Sequence, residues 1–372
     1  MKLSVMQENL ARGLQVVSRA VSARSTLPVL NNVLLRTEDG GLKLTATNLE
    51  IGITYWVPGK VEEGGSVTVP ARLLTDIVAG LPANERVDLE LQAQETLNIK
   101  AGRFETHVKG IDAEEFPALP TAGDKPTTRV AQSVLREALD EVTFAAAVDE
   151  ARPILTGVLA RFEGTQLTLA AADNYRIAVK TIAILDAVEE TSIVVPARSL
   201  HELSRVLSET DDPIDLVLSP SRNQILFHLE GVDLVSRLID GQFPNYQQVL
   251  PKSHTTTATV DRDQLLKAVK LASLIASSSS NIVKLQVGKD AETGLTVSAA
   301  ADVGDNRSEV EAQVEGDGTT IAFNAKYLVE VLSNVPAEQF VIELNGPLSP
   351  GVFRPVGDGQ YVHVVMPVKT TS

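Results

Sequence analysis

The side chains that most often carry catalysis or bind metals do not occur in a useful arrangement. The five histidines are dispersed and show no metal-ligand spacing: His107, His201, His228, His254 and His363. The chain has no cysteine, which excludes disulfides, thiolate zinc sites and a cysteine nucleophile. It also lacks a G-x-x-x-x-G-K-[ST] phosphate loop, a G-x-S-x-G elbow and a G-x-G-x-x-G after a strand. The sequence therefore predicts no catalytic residue, no metal and no cofactor.

One charged pair, Asp173 and Arg176 in "ADNYRIAV", suggests a polar site. The alternative is a local cap, because an Asp near a turn usually accepts hydrogen bonds from nearby backbone amides. Two Gly-Asp-Gly segments, 316–318 and 357–359, are more simply explained as hairpin turns than as a binding loop.

Basic residues recur at helical spacing. The relevant residues are Arg198, His201 and Arg205 at i, i+3 and i+7, Arg12 and Arg19 at i and i+7, and Lys267 and Lys270 at i and i+3. The alternative is ordinary surface Lys and Arg. The net charge of −15 repels nucleic acid at long range, so attraction by the whole protein cannot bring nucleic acid to these residues. One further helix is acidic, with Glu137, Asp140 and Glu141.

The predicted elements that would position these residues occur in three sequence repeats. The segments 68–82 "TVPARLLTDIVAGLP", 194–210 "VVPARSLHELSRVLSET" and 322–336 "AFNAKYLVEVLSNVP" each indicate a strand, a turn and an amphipathic helix. Pro70, Pro196 and Asn324 occupy the turn, 126 and 128 positions apart. A hairpin pattern precedes each junction, and its marker residues Leu42 and Leu167 are 125 positions apart. Two independent markers thus share one period.

Each repeat indicates the order helix, hairpin, strands, helix, strands. A helical pattern begins each repeat, and polar segments, "TAGDKPTTR" and "KSHTTTATV", separate the repeats. A chain of 372 residues is also too long for one ordinary core. The predicted fold class is therefore α+β, in three tandem domains over 1–122, 129–250 and 257–372. Triplication for stability alone remains an alternative.

The N-terminus "MKLSVMQENLARGLQVVSRA" has no long apolar run, so we expect neither a signal peptide nor a membrane span. The absence of cysteine fits a reducing cytosol. A cytoplasmic protein is expected.

Several motifs in this order resemble the bacterial DNA polymerase III beta subunit, the sliding clamp. They are "TLPVLNNVLL", "VPAR" before a helix, "ADNYRIAV", "LIDGQFPNYQQVLP" and the near-terminal "VVMP", and they span essentially the whole chain. The resemblance implies a non-catalytic, nucleoid-associated processivity factor. Such a factor is a head-to-tail homodimeric ring around double-stranded DNA, with helices facing the DNA and sheets outside.

The size of the repeats agrees with a dimer. A 120-residue domain has a diameter of roughly 35 Å, so three domains leave essentially no hole and six leave one of about 30 Å, wider than the roughly 20 Å duplex. Two copies are therefore needed, joined by a contact between the third domain of one and the first domain of the other.

Three sets of site residues follow. The resemblance favours Arg24, Arg72 and Arg198 as DNA-binding residues, and Arg205, Lys267, Lys270 and Lys326 are further candidates. The dimer contact is expected to join Lys100, Arg103 and Phe104 on one strand to Glu309, Glu311 and Glu315 on another. The alternative is that both strands merely carry solvated charges. By resemblance, Leu274 and Ile275 form the apolar half of that contact.

The resemblance also implies a hydrophobic cleft for short linear peptides of the replicative polymerase, the clamp loader and repair proteins. The matching positions are Leu155, Tyr175, Arg176, Ile177, Pro244, Val249, Val364, Met366 and Pro367. Apolar side chains and an adaptable Met suit several peptide partners, with Arg176 as a polar rim. The alternative is that Leu155, Ile177 and Val364 are plain core residues.

Overall fold

The computed structural model describes residues 1–22, 27–38, 40–120, 126–149, 151–288 and 293–369. By its backbone contacts the chain divides into two compact units. The first unit is Met1–Gln132 with Arg205–Leu238, and the second is Ser133–Ser204 with Ile239–Ser372. Arg24, one of the expected DNA-binding residues, lies outside the described residues.

The α-helices of the described residues are α1 (Gln7–Val17), α2 (Ala71–Gly80), α3 (Gln132–Val142), α4 (Ala197–Ser204), α5 (Arg262–Ala276) and α6 (Ala325–Asn334). These bounds confirm the three repeated junctions, since α2, α4 and α6 each follow directly on a strand. Pro70 and Pro196 are the last strand residues in two of them, and proline's fixed φ suits a helix entry. In the third, Asn324 caps α6 by accepting a hydrogen bond from the Lys326 amide at 3.0 Å.

The first eleven strands are β1 (Lys2–Met6), β2 (Asn32–Glu38), β3 (Gly41–Thr47), β4 (Ile51–Glu63), β5 (Ser66–Pro70), β6 (Arg86–Gln92), β7 (Thr96–Ala101), β8 (Phe104–Lys109), β9 (Thr128–Ala131), β10 (Gly157–Ala172) and β11 (Arg176–Pro196). The remaining described strands are β12 (Pro213–Leu218), β13 (Gln224–Leu229), β14 (Val232–Arg237), β15 (Thr256–Asp261), β16 (Ile282–Val287), β17 (Gly294–Ala301), β18 (Gly304–Gly316), β19 (Thr319–Asn324), β20 (Gln339–Leu344), β21 (Gly351–Pro355) and β22 (Tyr361–Val365).

In the first unit, antiparallel strands follow the order β8-β7-β6-β1-β4-β14-β13-β12-β9, and β2, β3 and β5 join beside β4. Helix α1 packs closely on this sheet at Gly13, where an added Cβ would lie 2.9 Å from the side chains of Leu44, Tyr55 and Val57. Leu10 and Leu14 of α1 are fully buried, which anchors the helix on the core.

In the second unit, antiparallel strands follow the order β10-β11-β22-β21-β20-β15-β18-β17-β16-β19. The apolar face of α5, with Leu265, Val269 and Ala272, is buried. Its N-terminus is capped by Asp261, which accepts a hydrogen bond from the Gln264 amide at 2.8 Å.

The second expected hairpin lies within β10, whose two halves, 157–162 and 166–172, pair with separate parts of β11 on either side of Gly164. β2 and β3 pair with β5 and β4 in the same way in the first repeat. Gly164 has φ +59°, a conformation that glycine adopts easily, so the polar segment interrupts the ladder there. Both sheets also combine strands from adjacent repeats, as where β14 pairs with β4, and the three domain boundaries remain a prediction.

Among the described residues, no helix combines the length and the apolar content that a membrane span requires.

Candidate functional site

The motif "ADNYRIAV" and the C-terminal "YVHVVMP" meet where β11 pairs with β22. Ile177 lies opposite Val364, and Val179 lies opposite Val362. We call this pairing, together with the apolar cluster packed on it, the second seam. Since alternate residues of a strand share a face, these four side chains form one apolar surface on the sheet.

The cluster joins three separated parts of the chain. Its buried members are Leu155, Ala170, Ala172, Ile177, Val179, Val194, Phe243, Val352, Val362 and Val364. Leu155, Ile177 and Val364 are thus core residues as well as predicted cleft residues. Phe243, Val352 and Val362 are members that the sequence patterns did not single out for a site.

Large apolar side chains remain exposed beside this buried floor. The exposed fractions are 57% for Tyr175, 41% for Val249 and 38% for Met366. Pro244 follows Phe243 and is also exposed, and Pro367 follows Met366 and is half-buried. The second seam therefore has the composition of a peptide-binding surface, with a rigid apolar floor and adaptable apolar edges.

The expectation that Arg176 forms a polar rim is wrong, because its side chain is only 5% exposed. Its guanidinium donates to Asp173 Oδ2 at 3.1 Å, to the Phe144 carbonyl oxygen at 2.7 Å and to Glu330. It also lies 4.7 Å from the centroid of the Tyr327 ring. A guanidinium with these partners holds the start of β11 in place, and the assignment of Arg176 to the peptide cleft stays a prediction.

Hydrogen bonds to its backbone amide and carbonyl groups hold the exposed Tyr175 in place. Asp173 Oδ1 accepts hydrogen bonds from the amides of Tyr175 at 2.7 Å and Arg176 at 2.9 Å, which supports the local-cap interpretation of this Asp. The Tyr175 carbonyl accepts from the Met366 amide at 2.7 Å, and its ring stacks on Tyr327 at 6.2 Å. Tyr175 and Met366 are thus positioned together.

Sequence reasoning missed Phe144, Tyr327 and Glu330, which surround Arg176. Tyr327 and Glu330 lie on α6, which the sequence placed correctly as an element but not against "ADNYRIAV". Their spacing of i and i+3 puts both side chains on one face of that helix, the one weak signal available.

A cluster of ionisable side chains lies on the other face of β11 and β22, away from the apolar cluster. Lys180 Nζ is 2.7 Å from Glu141 Oε2 and 2.6 Å from Asp358 Oδ2. Burial raises the pKa of Glu141 to about 7, although the ion pair with Lys180 acts in the opposite direction. Burial and the nearby Arg176 lower the pKa of His363 to about 3. Glu141 and His363 are buried, whereas the side chain of Asp358 is 31% exposed.

The candidate DNA-binding residues lie on solvent-facing positions. Arg72 on α2, Arg198 on α4, and Lys267 and Lys270 on α5 are exposed, and Arg205 lies just after the end of α4. Lys326 on α6 is exposed and 3.8 Å from Glu330. Their role in DNA binding stays a prediction.

The candidate dimer residues lie on two strand edges. β8 ends the first sheet and pairs only with β7 among the described strands. β18 pairs with β17 through residues 304–311 and with β15 only through 312–316, so its first eight residues have one described neighbour. Phe104 is 55% exposed and Leu274 is 70% exposed, whereas Ile275 is half-buried. Lys100, Arg103, Glu309 and Glu311 are exposed.

No group of His, Asp and Glu suited to a metal ion occurs among the described residues. What the arrangement offers is an exposed apolar surface, exposed cations and strand edges that have no neighbour among the described strands.

Comparison with known proteins gives one consistent result. Three models of the DNA polymerase III beta subunit match the chain in order: the N-terminal domain over residues 1–120, the central domain over 129–245 and the C-terminal domain over 247–369.

Relatives match over their full length. The chain is 36% identical to the beta sliding clamp of Synechococcus elongatus and 33% identical to that of Synechocystis, with all of each chain covered. It is similar to the solved structure of the DNA polymerase sliding clamp from Bacillus subtilis, with 29% identity, complete coverage of both chains and a TM-score of 0.94. A sliding clamp from Pseudomonas aeruginosa bound to griselimycin gives 31% identity, complete coverage of both chains and a TM-score of 0.92.

Proposed function

The chain belongs to the DNA polymerase III beta subunit family, the beta sliding clamps, and we propose that two copies of it close into a ring around duplex DNA. It is a non-catalytic subunit that gives a replicative polymerase processivity. The three tandem α+β clamp domains agree with the predicted fold class.

The observation that carries the ring is the pair of unpaired edges at β8 and at the start of β18. Exposed edges of this kind promote unwanted pairing, and native proteins normally cover or shorten them. A head-to-tail dimer pairs the β8 edge of each copy with the β18 edge of the other, and both edges disappear. The same contact covers the exposed Phe104 and Leu274.

The DNA contacts in this proposal are the exposed cations on the helices: Arg72, Arg198, Lys267 and Lys270, with Arg205 beside them. Arg24 belongs to the same set by resemblance alone. With a net charge of −15, the chain gains little from long-range attraction to DNA. Encirclement retains DNA without tight local binding, so a few local cations are sufficient.

The decisive experiment separates encirclement from affinity. The purified protein, with a clamp loader and ATP, is loaded on nicked circular DNA and passed over a sizing column in moderate salt. A ring stays with the circle and is lost when a restriction enzyme makes the DNA linear. Equal retention on both forms would contradict encirclement, and sedimentation at the monomer mass would contradict the dimer.

The second seam is the peptide-docking surface in this proposal. Its buried apolar floor and its exposed Tyr175, Val249 and Met366 suit extended peptides with Leu or Phe anchors from the polymerase, the clamp loader and repair proteins. The three domains are bounded near 1–122, 129–250 and 257–372, and the protein works in the cytoplasm beside the nucleoid.

A further inference from the structure

Two strand pairings in the chain are equivalent. We call the pairing of β4 with β14, together with the residues packed on it, the first seam. Ile51 of β4 lies opposite Ser236 there, as Arg176 of β11 lies opposite Val365 in the second seam. Ile51 and Arg176 each begin their strand and are 125 positions apart. What covers the first seam can therefore be compared, position by position, with what lines the second.

The backbone turn beside the second seam has a counterpart beside the first. Asn48 Oδ1 accepts hydrogen bonds from the amides of Glu50 at 3.0 Å and Ile51 at 2.9 Å, as Asp173 does in its own turn. The Glu50 carbonyl accepts from the Arg237 amide at 2.8 Å, and an equivalent backbone bond closes the second seam. The backbone that shapes the edge of the groove is thus present twice.

The chain's own residues occupy the first seam. Phe116 is buried in an apolar cluster with Leu30. Leu119 lies on Gly52, so that a Cβ atom at position 52 would be 2.6 Å from Leu119 Cδ1. Gly52 is the second residue of β4, as Ile177 is of β11. A leucine side chain therefore fills the recess that a glycine leaves at this point of the strand pairing.

A cavity remains beside this leucine. Its volume is about 400 Å³, which is in the range of ligand-binding pockets. Residues 117–120 form part of its wall, and the rest comes mainly from β2, β3 and β4, with Asp233 of β14. Leu119 is only half-buried and Ala118 is exposed. The segment therefore lies over the groove as a cover and is not part of the buried core.

We propose that the first seam is a second peptide-docking groove, which residues 117–120 close with Leu119 as their anchor, and that an extended peptide with a leucine can replace them. The inference rests on the proposed peptide docking at the second seam and adds a second groove in the same chain. The seated segment itself indicates the chemistry of the ligand, because it places a leucine in the recess at Gly52.

The floor of the first seam selects a different peptide from the second. Thr54 and Asp233 lie opposite each other in the first seam and are buried, in the positions that Val179 and Val362 have in the second. A phenylalanine packed on a hydroxyl and a carboxylate would take both from water without replacing their hydrogen bonds. The first seam therefore accepts one leucine anchor with small polar neighbours, whereas the second seam favours two apolar anchors.

The tether keeps the first seam closed in the parent chain. A segment joined to its own groove by a few residues acts at an effective concentration of about millimolar, far above that of a peptide supplied at micromolar concentration. The parent chain is therefore expected to bind peptide at the second seam alone. A partner gains access to the first seam when its own effective concentration is comparable, as it is once the partner already docks on the same chain.

Trp56 is a built-in reporter for the first seam. It is the chain's one tryptophan and follows Thr54 by two residues on β4, so the two side chains share a face. Lys43 lines the cavity, and its Nζ lies 4.9 Å from the centroid of the Trp56 ring. A peptide that enters the first seam should therefore change the fluorescence of Trp56.

Removing the anchor tests the proposal. The background is the full chain with Tyr175→Ala and Met366→Ala, which weaken the second seam, and the probe is a polymerase-derived peptide that keeps its Leu and has Ser in place of Phe. Adding Leu119→Ala should tighten binding of this probe at least tenfold and give a change in Trp56 fluorescence. Replacing residues 117–120 with Gly and Ser opens the groove in a second way and should have the same effect.

Two controls identify the recess as the site. Leu73→Ala in the same background removes an exposed leucine of the same unit and should leave binding unchanged. Adding Gly52→Ala to the Leu119→Ala chain puts a methyl group where the end of the leucine side chain would lie. The gain in binding should then disappear.

The outcomes separate the two grooves. A gain in both opened chains that Gly52→Ala removes supports the first seam. No gain in either opened chain, while the parent chain binds the peptide with both Leu and Phe, overturns the first seam and leaves docking at the second intact. A gain that persists with Gly52→Ala also overturns the proposal, because the leucine then binds elsewhere. If neither the parent nor the opened chains bind either peptide, both grooves are overturned.

Discussion

The side chain of Leu119 lies directly on Gly52, so that a Cβ atom at position 52 would come within 2.6 Å of Leu119 Cδ1. Gly52 is the second residue of β4, as Ile177 is the second residue of β11. Where β4 pairs with β14, therefore, the segment after Phe116 brings the chain's own leucine onto the strand pairing. β11 has Ile177 in the equivalent place, and the second residue of β18 is Asp305, 128 positions further along the chain.

The three equivalent positions thus have three different surfaces. Gly52 is covered by a leucine of the same chain, Ile177 is part of an apolar surface with exposed edges, and Asp305 belongs to a row of charges on a free strand edge. The repeated position accordingly serves internal packing and, in our proposal, peptide docking and ring closure.

The contact between Gly52 and Leu119 predicts a coupled effect on stability. Gly52→Ala should lower the free energy of unfolding by about 1–3 kcal/mol, because the new methyl group overpacks against Leu119. In the Leu119→Ala background the same change should cost much less, as measured by chemical denaturation of both single variants and the double variant. Gly80→Ala is the control, since a Cβ there meets nothing within 4 Å. Additive losses would mean that the two residues are not in contact.

Arg176 gives a second stability prediction. Arg176→Ala leaves Asp173 and Glu330 without their guanidinium partner and should lower the free energy of unfolding by about 3–5 kcal/mol. Arg161→Ala is the control, because Arg161 also pairs with two carboxylates, Glu163 and Glu190, but is 31% exposed. It should cost at most about 1 kcal/mol. Similar losses in the two variants would show that the Arg176 cluster contributes no more than a surface pair.

Much of the fold could be predicted from the sequence, because its signals are local. The prolines before α2 and α4, and the alternation of Leu42 with Leu44, act within a few residues of themselves. Because the sequence repeats with a period of about 126 residues, each local prediction applied to all three repeats. Pairings between repeats, such as that of β14 with β4, join strands far apart in the sequence, so no local pattern indicates them.

The environment of the site was less predictable, because burial is a tertiary property. Arg176 was expected at the rim of a cleft that the family resemblance implies, and nothing near it in sequence indicates Phe144 or Glu330. The contact of Leu119 with Gly52 is equally non-local. The only signal in the sequence is that the first repeat has a glycine, Gly52, at the position where the second repeat has Ile177.

Glu141 and His363 predict opposing effects of pH on stability. The folded chain keeps the Glu141 proton up to about pH 7, whereas the unfolded chain loses it near the ordinary 4.5, so stability falls as pH rises between these values. His363 has a pKa of about 3 when folded and 6.5 when unfolded, so stability falls as pH falls below 6.5. Between pH 4.5 and 6.5 the two effects oppose each other.

Single substitutions should reveal each effect in denaturation at several pH values. With Glu141→Gln, the free energy of unfolding should fall as pH is lowered from 6.5 to 4.5, by up to about 1.4 kcal/mol per pH unit. With His363→Leu, it should fall as pH is raised through the same window. Glu230→Gln, at an exposed position of the turn between β13 and β14, is the control and should follow the parent chain. Identical pH profiles for all four proteins would contradict the burial of these charges.

The exposed cations on the helices predict a change in salt dependence. Arg72→Glu with Arg198→Glu should weaken binding to a short duplex, and the slope of log K against log salt should become shallower by about 0.9 for each phosphate that the protein no longer neutralises. Unfolding free energies should change by less than about 0.5 kcal/mol, because both side chains are exposed. Arg86→Glu with Arg161→Glu makes the same change in net charge on strands. An equal loss of affinity in the two pairs would indicate a net-charge effect without local binding of phosphate.

Peptide docking on the second seam predicts loss of partner binding without loss of the dimer. Tyr175→Ala with Met366→Ala removes side chains that are 57% and 38% exposed, so the buried floor of the seam stays intact. A short extended peptide buries a few hundred Å² there, and at about 25 cal/mol per Å² less the cost of association this supports micromolar binding. Because those two side chains supply much of the exposed apolar edge, we expect their removal to weaken binding at least tenfold in calorimetry with a polymerase-derived peptide that has Leu and Phe anchors. Leu348→Ala is the control, since Leu348 belongs to the same unit and is 67% exposed. If the double variant binds the peptide as tightly as the control while both remain dimers, the docking surface lies on another face of the molecule.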